Sequence, residues 1–459
     1  PTGREAASTH PTGGGLRRLR FKIAQNDSRA IDLEETLLAL DRESIVGRVV
    51  LDGHTINLAD VQNPAAAMRH ASSVDTRLGY DSRSMLTVPM HSARGDVIGV
   101  VQLINKKRRP GARLVTVDDF DALVAPFGAE DEALTSALAA SAGVILENAL
   151  LYSEIRDIFE GFVRASVHAI EQRDPTTSGH SQRVATLTVG LASAADRARV
   201  GPYTELRIGD EEMRRIEWAA LLHDFGKVGV PENVLLKAKK LYGAELELIR
   251  QRFDLARLGL EVEMLRGRLA PDAYEAASRR LVDDFAVVLV ANEPTVLEEG
   301  SFARLREIAA RTWRDASGRA RPLLAEEEVA ALSVRRGSLN AAERRAIESH
   351  VVHTRAFLAR IPWGRELRGI TELAGAHHEK LDGSGYPLGL RADAIAPPVR
   401  MMTICDIFDA LVATDRPYKK AMPVERALGI LGEEAAHGKL DVELLRIFTE
   451  AEVYRRTVP

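Results

Sequence analysis

The stretch His377-His378-Glu379-Lys380-Leu381-Asp382-Gly383-Ser384-Gly385-Tyr386-Pro387 sets two imidazoles side by side ahead of a glycine-rich turn. Upstream, His223-Asp224 joins a third imidazole to a carboxylate. Both lie in text that otherwise reads as helical. Imidazole and carboxylate without thiolate suit Mn, Fe or Zn ions engaged in hydrolysis rather than a structural zinc. On a helix, adjacent side chains leave about 100° apart. His223 can therefore bind one ion while Asp224 bridges to a second, and His377 and His378 can serve different ions. Two ions roughly 3.5–4 Å apart hold a water between them and stabilise both the attacking and leaving oxygens of a phosphodiester. The expectation is metal-dependent phosphodiester hydrolysis with no side-chain nucleophile.

Bulk properties narrow the setting. A chain of 459 residues calls for about two to four domains. Its 45% hydrophobic and 28% charged content is that of a globular protein. A net charge of −4 gives no electrostatic case for a nucleic-acid polymer as partner. Cys405 is the single cysteine, which excludes an intrachain disulfide and fits a reducing, cytoplasmic setting. It reads as a small core residue. No apolar run reaches the ~18 residues of a membrane span, so no membrane is expected in this chain.

Residues 1–15 are Gly/Thr/Pro-rich and read as a disordered lead. From 16 to 133, short strand candidates alternate with turns: Arg20–Ala24, Gly53–Leu58, Met85–Met90 and Val97–Ile104. The last two form a hairpin across Ser92–Asp96, and Asp32–Val49 reads as helix. This order resembles a GAF domain, an α/β sensor module lacking its opening elements. The resemblance rests on Asn26, Asp60-Val61, Asp75–Tyr80, Val88-Pro89-Met90, Asn105-Lys106 and Asp118-Asp119. Leu114 stands where cyclic-nucleotide-binding relatives carry Phe, so the module is read as a sensor without a cyclic nucleotide. Lys106 is expected to pair with Asp118 or Asp119.

Across 134–172 the rows Val144, Leu151, Ile158, Ala165 and Asn148, Ile155, Phe162, Ala169 repeat every seven residues. They predict a coiled-coil signalling helix and hence a homodimer. The helix-rich remainder divides into 173–241 and 339–459, separated by an insertion at 242–338 that contains no Lys, His or Cys. There, Leu255, Leu258, Val262, Leu265 and Leu269 mark an amphipathic helix, and Phe302–Trp313 a second. The insertion is expected to cap the site or dock on the sensor or a protein partner.

The ordered motifs Gly179–Val184, His223–Lys227, Leu339–His350, His377–Pro387 and Asp406–Leu411 with Asp415–Lys419 resemble the HD-GYP family of cyclic di-GMP phosphodiesterases. The expected architecture is thus multidomain: an α/β GAF-like sensor, a long coiled-coil helix, and an all-α HD-GYP domain interrupted by a helical insertion. The resemblance implies metal ligands His180, His223, Asp224, His350, His377, His378 and Asp406, with Asp224 bridging. It implies that Lys227 faces the scissile phosphate and that Tyr386, Arg416 and Lys419 contact substrate. Gly383, Gly385 and Pro387 would shape the loop presenting Tyr386. Thr176 stands where some relatives hold a third ion with Glu, so two divalent ions are expected, Fe or Mn favoured. The implied reaction is cyclic di-GMP to pGpG, with GMP as an onward product. The alternatives are hydrolysis of another cyclic dinucleotide, or a non-catalytic cyclic di-GMP receptor signalling through the insertion.

Overall fold

The computed structural model describes residues 18–20, 37–62, 80–174, 178–296, 299–315, 317–413 and 422–457. The lead 1–15 and residues Asn26, Thr176, Arg416 and Lys419 lie outside them. The chain divides into two compact units, Pro1–Gly161 and Phe162–Pro459.

In the first unit, β1 (Arg18–Arg20) pairs antiparallel with β2 (Leu37–Ala39). Helix α1 (Ile45–Asp52) starts only at Ile45, because the Ser44 hydroxyl accepts the Gly47 amide. Asp32–Val49 is therefore not one helix: part of it is strand β2, and the Ser44 cap fixes a later start. Strands β3 (Ile56–Leu58), β4 (Met85–His91) and β5 (Val97–Ile104) form an antiparallel meander, with the expected hairpin closed by Ser92 N–H donating to the Asp96 carbonyl (2.8 Å). Alternate residues of a strand face opposite sides. Met85 accordingly packs on Ile45 and Val61, while Leu86 and Val88 pack on Ala139. Beyond β5, β6 (Lys106–Lys107) pairs with β7 (Val124–Ala125) across helix α2 (Val117–Leu123).

Asn105 is buried with φ +60°, and its side chain bonds the Arg83 amide and the Asp81 carbonyl, closing the end of the sheet. Lys106 pairs with Asp131, not with Asp118 or Asp119. Asp119 is committed to the capping box of α2 with Thr116.

Helix α3 (Ala129–Arg173) runs 45 residues. Its first turns lie on the sheet, and at Gly143 a Cβ would come within 2.6 Å of the His91 carbonyl oxygen. All eight residues of the two heptad rows are exposed. By length and composition alone, α3 is also the one helix among the described residues apolar enough to cross a membrane. This departs from the expectation that no apolar stretch is long enough to span a membrane.

The second unit is built from α4 (His180–Asp196), α5 (Asp210–Leu222), a 3-10 turn (Phe225–Gly229) and α6 (Glu232–Leu235). After the insertion come α11 (Ala341–Glu348), α12 (His350–Leu358), α13 (Ile370–Ala374), α14 (Pro397–Val412), α15 (Val424–Ala436) and α16 (Val442–Glu450). Leu187, Leu191, Ile216, Ile404, Phe408 and Phe448 form its buried interior, with Cys405 among them.

The insertion contains α7 (Gly243–Leu265), α8 (Pro271–Ala291), α9 (Glu299–Ala309), a hairpin of β8 (Thr312–Arg314) and β9 (Ala320–Pro322), and α10 (Glu326–Leu332). It is thus not wholly helical. The helix expected over Phe302–Trp313 stops at Ala309, and Asp315 organises a turn by accepting the Ser317 and Arg319 amides. Within the stripe that marked an amphipathic helix, Leu255, Leu258 and Leu265 are exposed and Val262 and Leu269 half-buried, while Ile249, Phe253 and Ala256 form the buried row. Its two ends meet where the Ser338 hydroxyl donates to the Lys237 carbonyl (2.8 Å). That closure lets the chain on either side continue as one domain.

Candidate metal centre

Five imidazoles and two carboxylates converge in the second unit. They form two groups, His180 with His223 and Asp224, and His350 with His377 and His378, with ligand atoms of each group within 4.8 Å of one another. The two carboxylates straddle the groups. Asp224 turns Oδ2 toward His223 Nε2 (3.5 Å) and Oδ1 toward His350 Nε2 (3.3 Å). Asp406 turns Oδ1 toward His180 Nε2 (3.2 Å) and Oδ2 toward His378 Nδ1 (3.8 Å).

Local helix geometry fixes the ring orientations. His223, His350 and His377 each donate Nδ1–H to the carbonyl three residues earlier, on Ala220, Ile347 and Ala374, at 2.7 Å in every case. In the neutral ring that bond fixes the tautomer, so that Nε2 presents a lone pair inward. His223 Nε2 is buried with no hydrogen-bond partner, and His350 and His377 point Nε2 at each other across 3.5 Å. Two facing lone pairs repel unless a cation lies between them or a proton is added, so the donor set fits divalent ions. His180 is held differently: Nδ1 donates to Asp409 Oδ2 (2.7 Å), and Arg183 pins that carboxylate through Nε (2.8 Å) and Nη2 (3.1 Å).

The protonation states suit cation binding. Burial holds His223 and His377 below the ordinary imidazole range and brings His378 to about 4. Burial also pulls His180 down, but Asp406 and Asp409 outweigh it and raise the ring to about 9. Burial pushes Asp224 up, yet Lys227 and His223 keep it well below the carboxylate range. Asp406 is held low against burial by His180 and His378. The centre is thus a set of mostly neutral imidazoles around two anions.

Lys227 lies on the 3-10 turn, 2.8 Å from Asp224 Oδ2 and 3.4 Å from Asp174. Burial lowers its pKa, but these two carboxylates raise it further, so it stays a cation. Gly226 lets that turn press on α12, since a Cβ there would fall 1.9 Å from the His350 carbonyl oxygen. Thr354 Oγ1 ties the two together, accepting from Gly226 N–H (2.8 Å) and donating to the His223 carbonyl (2.9 Å).

On the open side, the Tyr386 ring lies 4.8 Å from that of His378, whose side chain keeps 26% exposure. The loop carrying Tyr386 is fastened by buried Glu379, which accepts the Leu388 (2.7 Å) and Leu390 (2.8 Å) amides. Gly385 has no room for a side chain, with the Lys380 nitrogen 2.3 Å from a would-be Cβ.

All seven sequence-assigned ligands therefore meet. Asp409, Asp174, Glu379 and Thr354 received no role from the sequence. Asp409 was findable, because three residues after Asp406 it shares that residue's helix face. The others carry no local signal of their partners.

Family models match the chain at three places: a GAF domain over residues 15–146 and an HD domain over 177–273 and again over 325–444. The chain joins a GAF domain to an HD domain. The two HD matches bracket most of the insertion and hold every ligand named above. Among curated relatives, the 3′3′-cGAMP-specific phosphodiesterase 3 of Vibrio cholerae is 43% identical over 115 residues, 25% of this chain and 24% of the relative. The cyclic di-GMP phosphodiesterase response regulator RpfG of Xanthomonas campestris is 25% identical over 288 residues, 62% of this chain and 47% of the relative. A cyclic di-GMP phosphodiesterase of Thermotoga maritima is 24% identical over 292 residues, 62% and 49% respectively. The chain spans less than half the length of each of these three relatives.

Proposed function

We propose that the HD domain is a metal-dependent phosphodiesterase that opens cyclic di-GMP to pGpG and cleaves this onward to GMP. The observation that carries the reading is the pair of three-ligand groups bridged by Asp224 and Asp406, whose lone pairs have no protein partner at His223 Nε2. His180, His223 and Asp224 would hold one divalent ion, and His350, His377 and His378 a second, with Asp224 and Asp406 shared. Fe or Mn suits this donor set. Bound there, such ions supply the acidity that makes water a nucleophile at neutral pH and the charge that stabilises a phosphate in transition.

The chain's own groups do the rest. Lys227, kept cationic by Asp224 and Asp174, offsets charge on the scissile phosphate and the departing ribose oxygen. Tyr386, beside His378 at the exposed margin, offers a ring face to a guanine. Arg416 and Lys419 are assigned to the substrate phosphates or base. The exposed heptad rows of α3 are assigned to a homodimer, and the outer face of the insertion to a protein partner. The setting is cytoplasmic, with the GAF domain as sensor.

A second substrate has its own support, since the 43% match is to an enzyme named for 3′3′-cGAMP. The decisive measurement is turnover of both cyclic dinucleotides by the purified full chain with Mn or Fe. Product pGpG from cyclic di-GMP is expected. Binding without product would reduce the domain to a receptor, and product from 3′3′-cGAMP alone would reassign the substrate.

A further inference from the structure

The last turn of α3 grips both halves of the first ligand group. Glu171 accepts the backbone N–H groups of Gly179 (2.9 Å) and Ser181 (3.0 Å), the two residues flanking His180. Amides in the first turn of a helix have no partner within it, so this carboxylate supplies what α4 lacks at the point where the ligand sits. Two residues on, Arg173 donates to the carbonyls of Val228 (2.5 Å) and Val230 (3.1 Å). That places its guanidinium on the turn carrying Lys227, directly after His223-Asp224. Val167 and Ile170 of the same helix line a small pocket whose other wall includes Asp224 and Lys227.

We infer that Glu171 and Arg173 are positioning residues that set His180 against the Asp224–Lys227 turn, so that displacement of α3 acts on the His180 side of the centre more than on the His350–His377–His378 side. The idea rests on the proposed metal-binding, hydrolytic reading of the centre. Charge-assisted bonds are about twice as strong as neutral ones and directional. A shift of α3 by one residue turns it about 100° and slides it 1.5 Å, farther than either pair of bonds can follow. The rings of His350 and His377, in contrast, are fixed by carbonyls of their own helical segments, so their orientation does not depend on Glu171. The helix that begins on the GAF sheet therefore ends on the residues that flank His180.

The test uses the full chain, stripped of metal and titrated with Co(II), followed by visible absorption and calorimetry. In Glu171→Ala, one of two Co(II) sites should weaken by about 10–100-fold while the other stays within about twofold. Glu171→Gln, which keeps one acceptor, should fall between it and the parent. Equal weakening of both sites would overturn the assignment, because a merely fold-holding residue would act on both. An alanine inserted after Ser153 should then change turnover by about fivefold or more in the parent and by less than about twofold in the Glu171→Ala/Arg173→Ala background. The same response in both backgrounds would overturn the action of α3 on the centre. Lack of turnover in the parent alongside a selective Co(II) effect would support the positioning roles and sink the hydrolytic reading.

Discussion

The HD domain and the segment inserted into it both bury carboxylates, and they neutralise them in opposite ways. In the insertion, Asp284 is fully buried and receives Arg304 on one oxygen (2.8 Å) and Arg311 on the other. Around it Ile249, Val288, Leu305 and Ile308 close an apolar core. In the HD domain, Asp224 and Asp406 face imidazole nitrogens that offer lone pairs. Lys227 pairs with Asp224, and His180, raised to about 9, pairs with Asp406 at 3.2 Å. A buried charge left unpaired costs several kcal/mol. The first region completes its pairing with its own side chains, whereas the second, on the proposed reading, would be completed by bound cations. On that reading one carboxylate serves the fold and the other two serve the chemistry.

Removing ligands should break that contrast most severely. His223→Ala/Asp224→Ala is expected to lower cyclic-dinucleotide turnover by roughly 10³-fold or more, and to abolish the rise in melting temperature that metal gives the parent. Metal analysis and thermal unfolding read both effects. Retained turnover would place the chemistry elsewhere. Asp284→Ala should do the reverse, destabilising the chain by about 3 kcal/mol in urea unfolding while each folded molecule keeps its turnover. A fall in turnover without loss of stability would mean that the insertion takes part in the reaction.

Asp409 joins the two behaviours, because Arg183 satisfies it and it in turn orients a ligand. Asp409→Asn should leave folding largely intact but weaken metal binding by about 10–100-fold, through a less basic and less firmly held His180. Metal titration by calorimetry checks this, and unchanged affinity would reduce Asp409 to a buried partner of Arg183 that only holds the fold.

These roles were unequally legible in the sequence. Four of the candidate ligands stand in short runs, His223-Asp224 and His377-His378, whose residue types suit few other purposes, while His180, His350 and Asp406 were reached through the family resemblance. Partners supplied by distant elements could not. Lys106 reaches Asp131 on α3, and nothing local ranks Asp131 above the nearer Asp118 and Asp119. The same holds for α7. Its sequence carries two apolar rows, and spacing alone cannot tell which will be covered. Packing against the rest of the insertion covers Ile249 and Phe253 and leaves Leu255 and Leu258 in solvent. The start of α1 was legible in principle, since Ser44 is a good helix cap, but the apolar run before it is equally good strand, and its pairing with β1 decides the matter.

The mildest test concerns Asp441, a carboxylate that, like Asp284, is satisfied from within. It caps α16 through the Glu443 (3.1 Å) and Leu444 (3.0 Å) amides, and accepts Tyr203 Oη–H (2.6 Å) and Arg400 Nη1–H (2.9 Å). Burial raises its pKa, but Tyr203, the Leu444 amide and Arg400 together hold it below the usual value. A carboxyl lowered in the folded state stabilises the protein at pH above its unfolded pKa, near 3.9, and loses that contribution as pH falls through the folded value. Asp441→Asn should therefore cost about 1–2 kcal/mol at neutral pH. The gap between the two proteins should narrow as the pH drops below about 4. Urea unfolding from pH 7 down to pH 3 measures it, and a gap that stays constant would show that the charge on Asp441 contributes nothing and that only its shape does.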